Sequence, residues 1–195
     1  MTGASPAAAP PATGSRVLGL VGASWRPARP RMLVEAAAAR LAAAHGIGTE
    51  VADLLDAGPG LGAFQRRDMD ARAEALIAKV ETAEALIIGC PVFQGGMPGL
   101  LKHLFDQAPE GALKGRPVLI TACGGGLRHA LVVEHQIRPL FGYFEALTCP
   151  TAVYAGTAEL SDGAPAPALA ERIEAAAAQL AALMAPRRTT GRRAA

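Results

Sequence analysis

The chain has 195 residues and is 51% hydrophobic, but 44 of those residues are alanine, so about 55 larger apolar side chains remain, an ordinary supply for one domain. No apolar run approaches the ~18 residues of a membrane-spanning helix, because Glu and Arg interrupt the alanine-rich stretches. The net charge of +2 comes from the terminal PRRTTGRRAA, whose four arginines leave the remainder at about −2; with aromatics at 4%, a basic, aromatic nucleic-acid surface is excluded.

The first fifteen residues, MTGASPAAAPPATGS, carry no charge and lack the basic and apolar regions of a secretory signal. They read as a disordered Ala/Pro-rich leader, residues 186–195 as a basic disordered tail, and 16–185 as the folded domain. Val17–Val21 is a buried strand, followed by a loop of Gly, Pro and Arg and by a helix, MLVEAAAARLAAAHG, that Gly46 stops. Thr49–Leu54 is a second strand. A Gly/Pro-rich loop leads to a helix from about Asp68 to Thr82, in which Leu76, Ile77 and Val80 recur at helical spacing. Ala85–Cys90 is the third strand, and Pro98 opens a helix through Leu101, Leu104 and Phe105 that Pro109 ends. Val118–Thr121 is the fourth strand. A triple-glycine loop, a long helix from about Leu127 to Tyr143, a fifth strand near Thr151–Ala155 and a last helix from Ala168 to Met184 complete the chain. Strands separated by helices pair in parallel through crossovers, which predicts a three-layer, doubly wound, five-stranded α/β sheet. Ligands of such sheets bind beyond the carboxyl ends of the strands, at the loops after Val21, Cys90 and Thr121.

The first of these loops carries Ser24, Arg26, Arg29 and Arg31 at a helix N-terminus, a combination of amide and guanidinium donors suited to a phosphate. The same residues also suit a merely solvated basic loop. The second loop, Pro91-Val92-Phe93-Gln94-Gly95-Gly96, lets backbone amides approach a flat ligand, with Phe93 or Met97 against its ring. The third, Cys123-Gly124-Gly125, offers the same approach beside it. Each alone is compatible with a tight turn; converging at one edge they form a pocket for a planar phosphorylated molecule. No catalytic constellation competes. His103 and Asp106 lie three apart on a helix surface without a nucleophile, His129 and His135 point to different faces, and Cys123 lacks an oriented His partner. Chemistry carried by a cofactor follows from that lack. Three cysteines without CxxC spacing point to a reducing, cytoplasmic setting with no disulfide framework or zinc site.

The stretches PVFQGGMPGLLKHLFD and ALKGRPVLITACGGGLRHALVVEHQIRPLF resemble the NADPH-dependent FMN reductase family, whose fold is flavodoxin-like with strand order 2-1-3-4-5. Pro91, Phe93, Pro98, Gly99, Leu101, Lys102 and Asp106 match its pattern, and Gly115, Gly124 and Gly125 follow at matching distances. The resemblance spans residues 16 to 157 and is strongest to the reductases of two-component alkanesulfonate monooxygenase systems, through His129 and Arg138-Pro139. It implies FMN at the three loops, NADPH or NADH as donor, homodimers or homotetramers built through the long helices, and a π-bulge at His135 in the subunit interface. It also implies a possible partner monooxygenase that uses the reduced flavin. Two departures stand out. Ala23 and Ala28-Arg29-Pro30-Arg31-Met32 replace the family's serine-rich phosphate turn, and Gly96 replaces a serine. Both predict weak flavin retention, which serves an enzyme that releases reduced FMN and equally a relative without flavin use. An NAD(P)H:FMN oxidoreductase is the expected activity; the alternatives are a quinone, azo or metal-ion reductase with fixed FMN, and a non-catalytic flavodoxin-like binding protein.

Overall fold

The computed structural model describes residues 17–160 and 163–185; the expected leader and tail lie outside those residues. Strands β1 (Val17–Val21), β2 (Thr49–Asp53), β3 (Ala85–Pro91) and β4 (Pro117–Cys123) pair in parallel in the order β2-β1-β3-β4, and the last strand position lies beyond β4. Side chains alternate along each strand as the pleat requires. Leu18, Leu20, Leu86, Ile88, Val118 and Ile120 enter one core, while Val17, Val21, Ile87 and Leu119 enter the other.

Helices α1 (Arg29–His45) and α6 (Pro167–Met184) cover the second core, packing against one another through Ala37, Leu41, Ile173, Ala176 and Ala177. Buried alanines allow that close approach. The opposite layer contains α3 (Ala71–Thr82) and α4 (Gly99–Asp106), whose Leu76, Ile77, Leu101, Leu104 and Phe105 fill the first core. Two glycines in the sheet set the depth of α1. A Cβ at Gly19 would stand 2.5 Å from Val34 Cγ1, and one at Gly89 would stand 2.6 Å from Val34 Cγ2 and 2.9 Å from the Pro30 carbonyl oxygen. Larger residues would lift the helix whose N-terminus borders the loops.

Three elements differ from expectation in informative ways. The helix expected from Asp68 begins at Ala71, because the Asp70 carboxylate accepts from the Arg72 and Ala73 amides and caps it there. The fifth strand is split into β5 (Leu147–Thr148), paired with the start of β4, and β6 (Val153–Ala155), paired with its end. Pro150 cannot donate to the ladder, and side chains serve the interruption: Arg138 donates to the Cys149 carbonyl at 2.9 Å, and Gln179 accepts from the Thr151 amide at 2.8 Å. The long helix expected over 127–143 is likewise divided, into a 3₁₀ turn at Leu127–His129, a π turn at Val133–Ile137 centred on His135, where the family resemblance implied one, and α5 (Arg138–Tyr143). The Arg138 amide reaches five residues back to the Val133 carbonyl. Pro139 has no amide for an ordinary helical bond to His135 and would crowd that carbonyl, so the wider turn suits it.

Candidate active site

The three expected loops converge at the carboxyl edge of the sheet around a cavity of about 610 Å³, within the size range of small-molecule sites. Arg29 and Pro30 border it from the start of α1, Pro91, Val92 and Phe93 from the second loop, and Cys123, Gly124 and Gly125 from the third. Trp25, Met32, Leu160 and Gly163 complete much of the wall. Leu160 and Gly163 come from beyond β6, a fourth strand end that the sequence reading did not use although the same strand-end rule applies to it.

The arginines divide sharply. Asp53, at the end of β2, is buried, and its carboxylate caps the short helix α2 (Leu54–Ala57) through the Leu55 amide. Arg26 grips it with two bonds, Nε to Oδ2 at 2.5 Å and Nη2 to Oδ1 at 2.8 Å, while Arg31 Nη1 adds a third at 3.2 Å. Arg26 also meets Asp56 at 2.7 Å, and Arg31 meets Glu35 at 2.7 Å. Those carboxylates hold the Arg26 guanidinium even more firmly protonated than usual, the Asp53 bond first. Burial pushes the Asp56 carboxyl up, but the Asp53 amide and Arg26 outweigh it and leave it below its ordinary value. Arg26 and Arg31 therefore serve a buried anion of the protein and do not line the cavity, a correction to the three-arginine phosphate site. Arg29 remains. Its guanidinium makes only a long bond to Thr157 Oγ1, at 3.4 Å, and no ion pair among the described residues. It stands where α1 begins without a side-chain cap or an acidic first-turn residue. Ser24 is exposed and lies outside the cavity wall.

The second loop is a tight hairpin. Phe93 and Gly96 exchange backbone bonds of 2.8 Å in both directions, with Gln94 (φ 46°) and Gly95 (φ 81°) as its two left-handed central residues. The Gly96 amide is thereby used, as is that of Gly124, which donates to the Ala155 carbonyl at 3.2 Å. The amides of Gln94, Gly95 and Gly125 make no hydrogen bond among the described residues. Gly125 is part of the cavity wall, whereas Gln94, Gly95 and Gly96, expected at the flavin, follow the wall residue Phe93 on the hairpin and do not themselves line the cavity. Trp25 crosses from the first loop to stack on Phe93, with ring centroids 5.1 Å apart and planes 20° apart. Trp25 was missed as a site residue; its signal was an aromatic residue at a strand-end loop in a chain with one tryptophan.

Burial pushes the Cys123 thiol up to about 11 despite the nearby Arg29 charge, so this wall residue is a neutral, inert surface at ordinary pH. His103 bonds the Ala63 carbonyl and Asp106 pairs with Lys102, so the two are held apart by other partners and neither lines the cavity.

A profile of NADPH-dependent FMN reductases matches residues 15–160. The chain belongs to that family. The reductase is 44% identical over 148 residues to the NADH-dependent FMN reductase SfnF of Pseudomonas fluorescens, covering 75% of this chain and 79% of the relative. It is 41% identical over 148 residues to an FMN reductase (NADPH) of Pseudomonas aeruginosa, covering 75% and 80%. Among solved structures it is similar to an oxidoreductase from Corynebacterium diphtheriae, with a TM-score of 0.74, 30% identity, and coverage of 87% of this chain and 96% of that one. The reductase is thus a flavodoxin-like oxidoreductase that uses FMN and a reduced nicotinamide nucleotide.

The site fits that flavin. Arg29, without an ion pair among the described residues and at a helix start without a side-chain cap, suits the phosphate; the apolar wall of Met32, Val92 and Cys123 suits a flat ring; the unused Gly125 amide suits its polar edge.

Proposed function

We propose that FMN is an exchangeable substrate here, reduced by NADH or NADPH and released to a partner monooxygenase. The observation that carries this reading is the sparse phosphate end of the cavity. Of three nearby arginines, two are committed to Asp53, α1 has no hydroxyl cap, and Pro30 removes one first-turn amide, so Arg29 is the principal anchor.

Bound FMN supplies the hydride acceptor. The residues supply position and environment: Arg29 binds the phosphate, Phe93 and Trp25 cover the mouth, and Met32, Val92 and Cys123 keep water from the inner wall. The unused amide of Gly125 on the cavity wall, with those of Gln94 and Gly95 on the adjoining hairpin, would stabilise negative charge developing along the polar edge of the ring. Among the described residues no side chain on the cavity wall is poised as an acid or base, so the part of these residues is to position and enclose the ligands.

Subunit assembly is proposed on a separate observation. Leu127, Leu131 and Tyr143 are 73%, 66% and 63% exposed along the segment that holds the π turn, an apolar stripe suited to burial in a homodimer or homotetramer with His135 at the contact. Cys90, Cys123 and Cys149, all free and buried, support a cytoplasmic setting.

The test is turnover with and without added FMN, followed as loss of reduced-nicotinamide absorbance. Colourless purified protein whose turnover saturates with added FMN is expected. Flavin retained through gel filtration in equal amount to protein would instead identify a fixed-FMN reductase, and FMN affinity without turnover a binding protein.

A further inference from the structure

Gln136 lies within the π turn, yet its side chain belongs to the second loop. Its Oε1 accepts from the Met97 amide at 3.0 Å and its Nε2 donates to the Gly95 carbonyl at 3.5 Å, bridging both sides of Gly96. The Met97 amide has no other partner among the described residues. A Cβ at Gly96 would stand 2.8 Å from Gln136 Oε1 and 3.3 Å from Nε2, so the glycine at this position is what admits the carboxamide. The hairpin it grips needs such support. Gln94 sits at φ 46°, a conformation costly to a residue with a Cβ, and only the paired Phe93 and Gly96 bonds close the turn from within.

We infer that Gln136 is a positioning residue of the flavin-binding hairpin: its carboxamide clamps Gly95 and Met97, and so fixes the hairpin that carries the cavity-wall residue Phe93 and the unused Gln94 and Gly95 amides. Gly96 and Gln136 then form one unit, in which the missing side chain of one makes room for the amide of the other. The flavin half of this inference rests on the FMN reading of the cavity, whereas the clamp itself does not.

Variants of the full chain separate the parts. Q136M keeps length but neither donates nor accepts; Q136E keeps an acceptor for the Met97 amide; G96A pushes a methyl into the carboxamide. In flavin-free protein, amide hydrogen exchange should show Met97 released in Q136M and G96A, by roughly tenfold, and still protected in Q136E. Flavin-fluorescence titration should show the FMN dissociation constant raised roughly three- to tenfold in Q136M and G96A. Combining G96A with Q136A should cost no more than Q136A alone, since the clash is gone. Unchanged Met97 exchange in Q136M would overturn the clamp. Released Met97 with unchanged FMN affinity would overturn the positioning role. Absence of FMN binding in the parent would instead overturn the flavin reading, and the exchange arm would still decide the clamp.

Discussion

Arg29 and Arg26 are three positions apart and chemically identical, yet the buried Asp53 makes opposite instruments of them. Arg29→Ala should weaken FMN binding by about 1–3 kcal/mol, as loss of a charge-assisted phosphate bond does, with little change in urea stability; equal affinity in a flavin titration would place the phosphate elsewhere. Arg26→Ala should do the reverse. It leaves the buried Asp53 carboxylate with Arg31 and the helix-capping amides of α2, at a cost of about 1–3 kcal/mol in urea unfolding, and should shift FMN affinity far less than Arg29→Ala. None of this pairing was legible in the sequence, because Arg26 and Asp53 are 27 residues apart and only the sheet brings the end of β2 beside the first loop. Cys123 adds a chemical test. With its thiol held neutral by burial up to about 11, iodoacetamide should react slowly near neutral pH and faster only as the pH approaches that value; rapid labelling in the folded protein at neutral pH would show that the cavity wall opens.

At the scale of elements, the segment from Leu127 to Tyr143 shows how far periodicity reaches. Its apolar spacing revealed a helix but not its divisions; the π turn at His135 came with the family resemblance, and Pro139 supplies its physical reason. Deleting His135 should restore a regular turn and change the oligomer size, since one extra residue is what widens the turn and it lies in the exposed apolar stripe; an unchanged size-exclusion profile would remove His135 from the interface. The same segment has a pH signature. The Arg138 hydrogen bond holds the Glu134 carboxyl below its ordinary value, so the pair's stabilisation is complete above the usual carboxylate range of about 4 and is lost as pH falls through the lowered folded value. Glu134→Gln should therefore cost under about 1 kcal/mol near neutral pH and nothing in strong acid, the small value reflecting exposure of the pair. Arg138→Ala should cost more in the same urea experiment, because Arg138 also serves Thr148 and the Cys149 and Pro150 carbonyls where the last strand breaks.

For the whole molecule, alternation of strands and helices was enough to read the layers, and the strand-end rule was enough to find three of the loops that meet at the cavity. The strand order came with the family resemblance. What composition and spacing could not convey was which donors stay unused after folding. Gly96 and Gly124 look equivalent to Gly95 and Gly125 on paper, yet the hairpin and β6 consume the first two amides. The contribution from Leu160 and Gly163 follows from the same strand-end rule applied after β6, but which of that loop's residues reach the cavity depends on how the chain returns after a strand interrupted at Pro150. One further consequence follows from the stack of Trp25 on Phe93. With a single indole in the chain, all ultraviolet-excited tryptophan emission from this protein originates at the mouth of the cavity. An absorbing flavin seated there would drain that emission by energy transfer, so the native protein is its own unlabelled occupancy sensor.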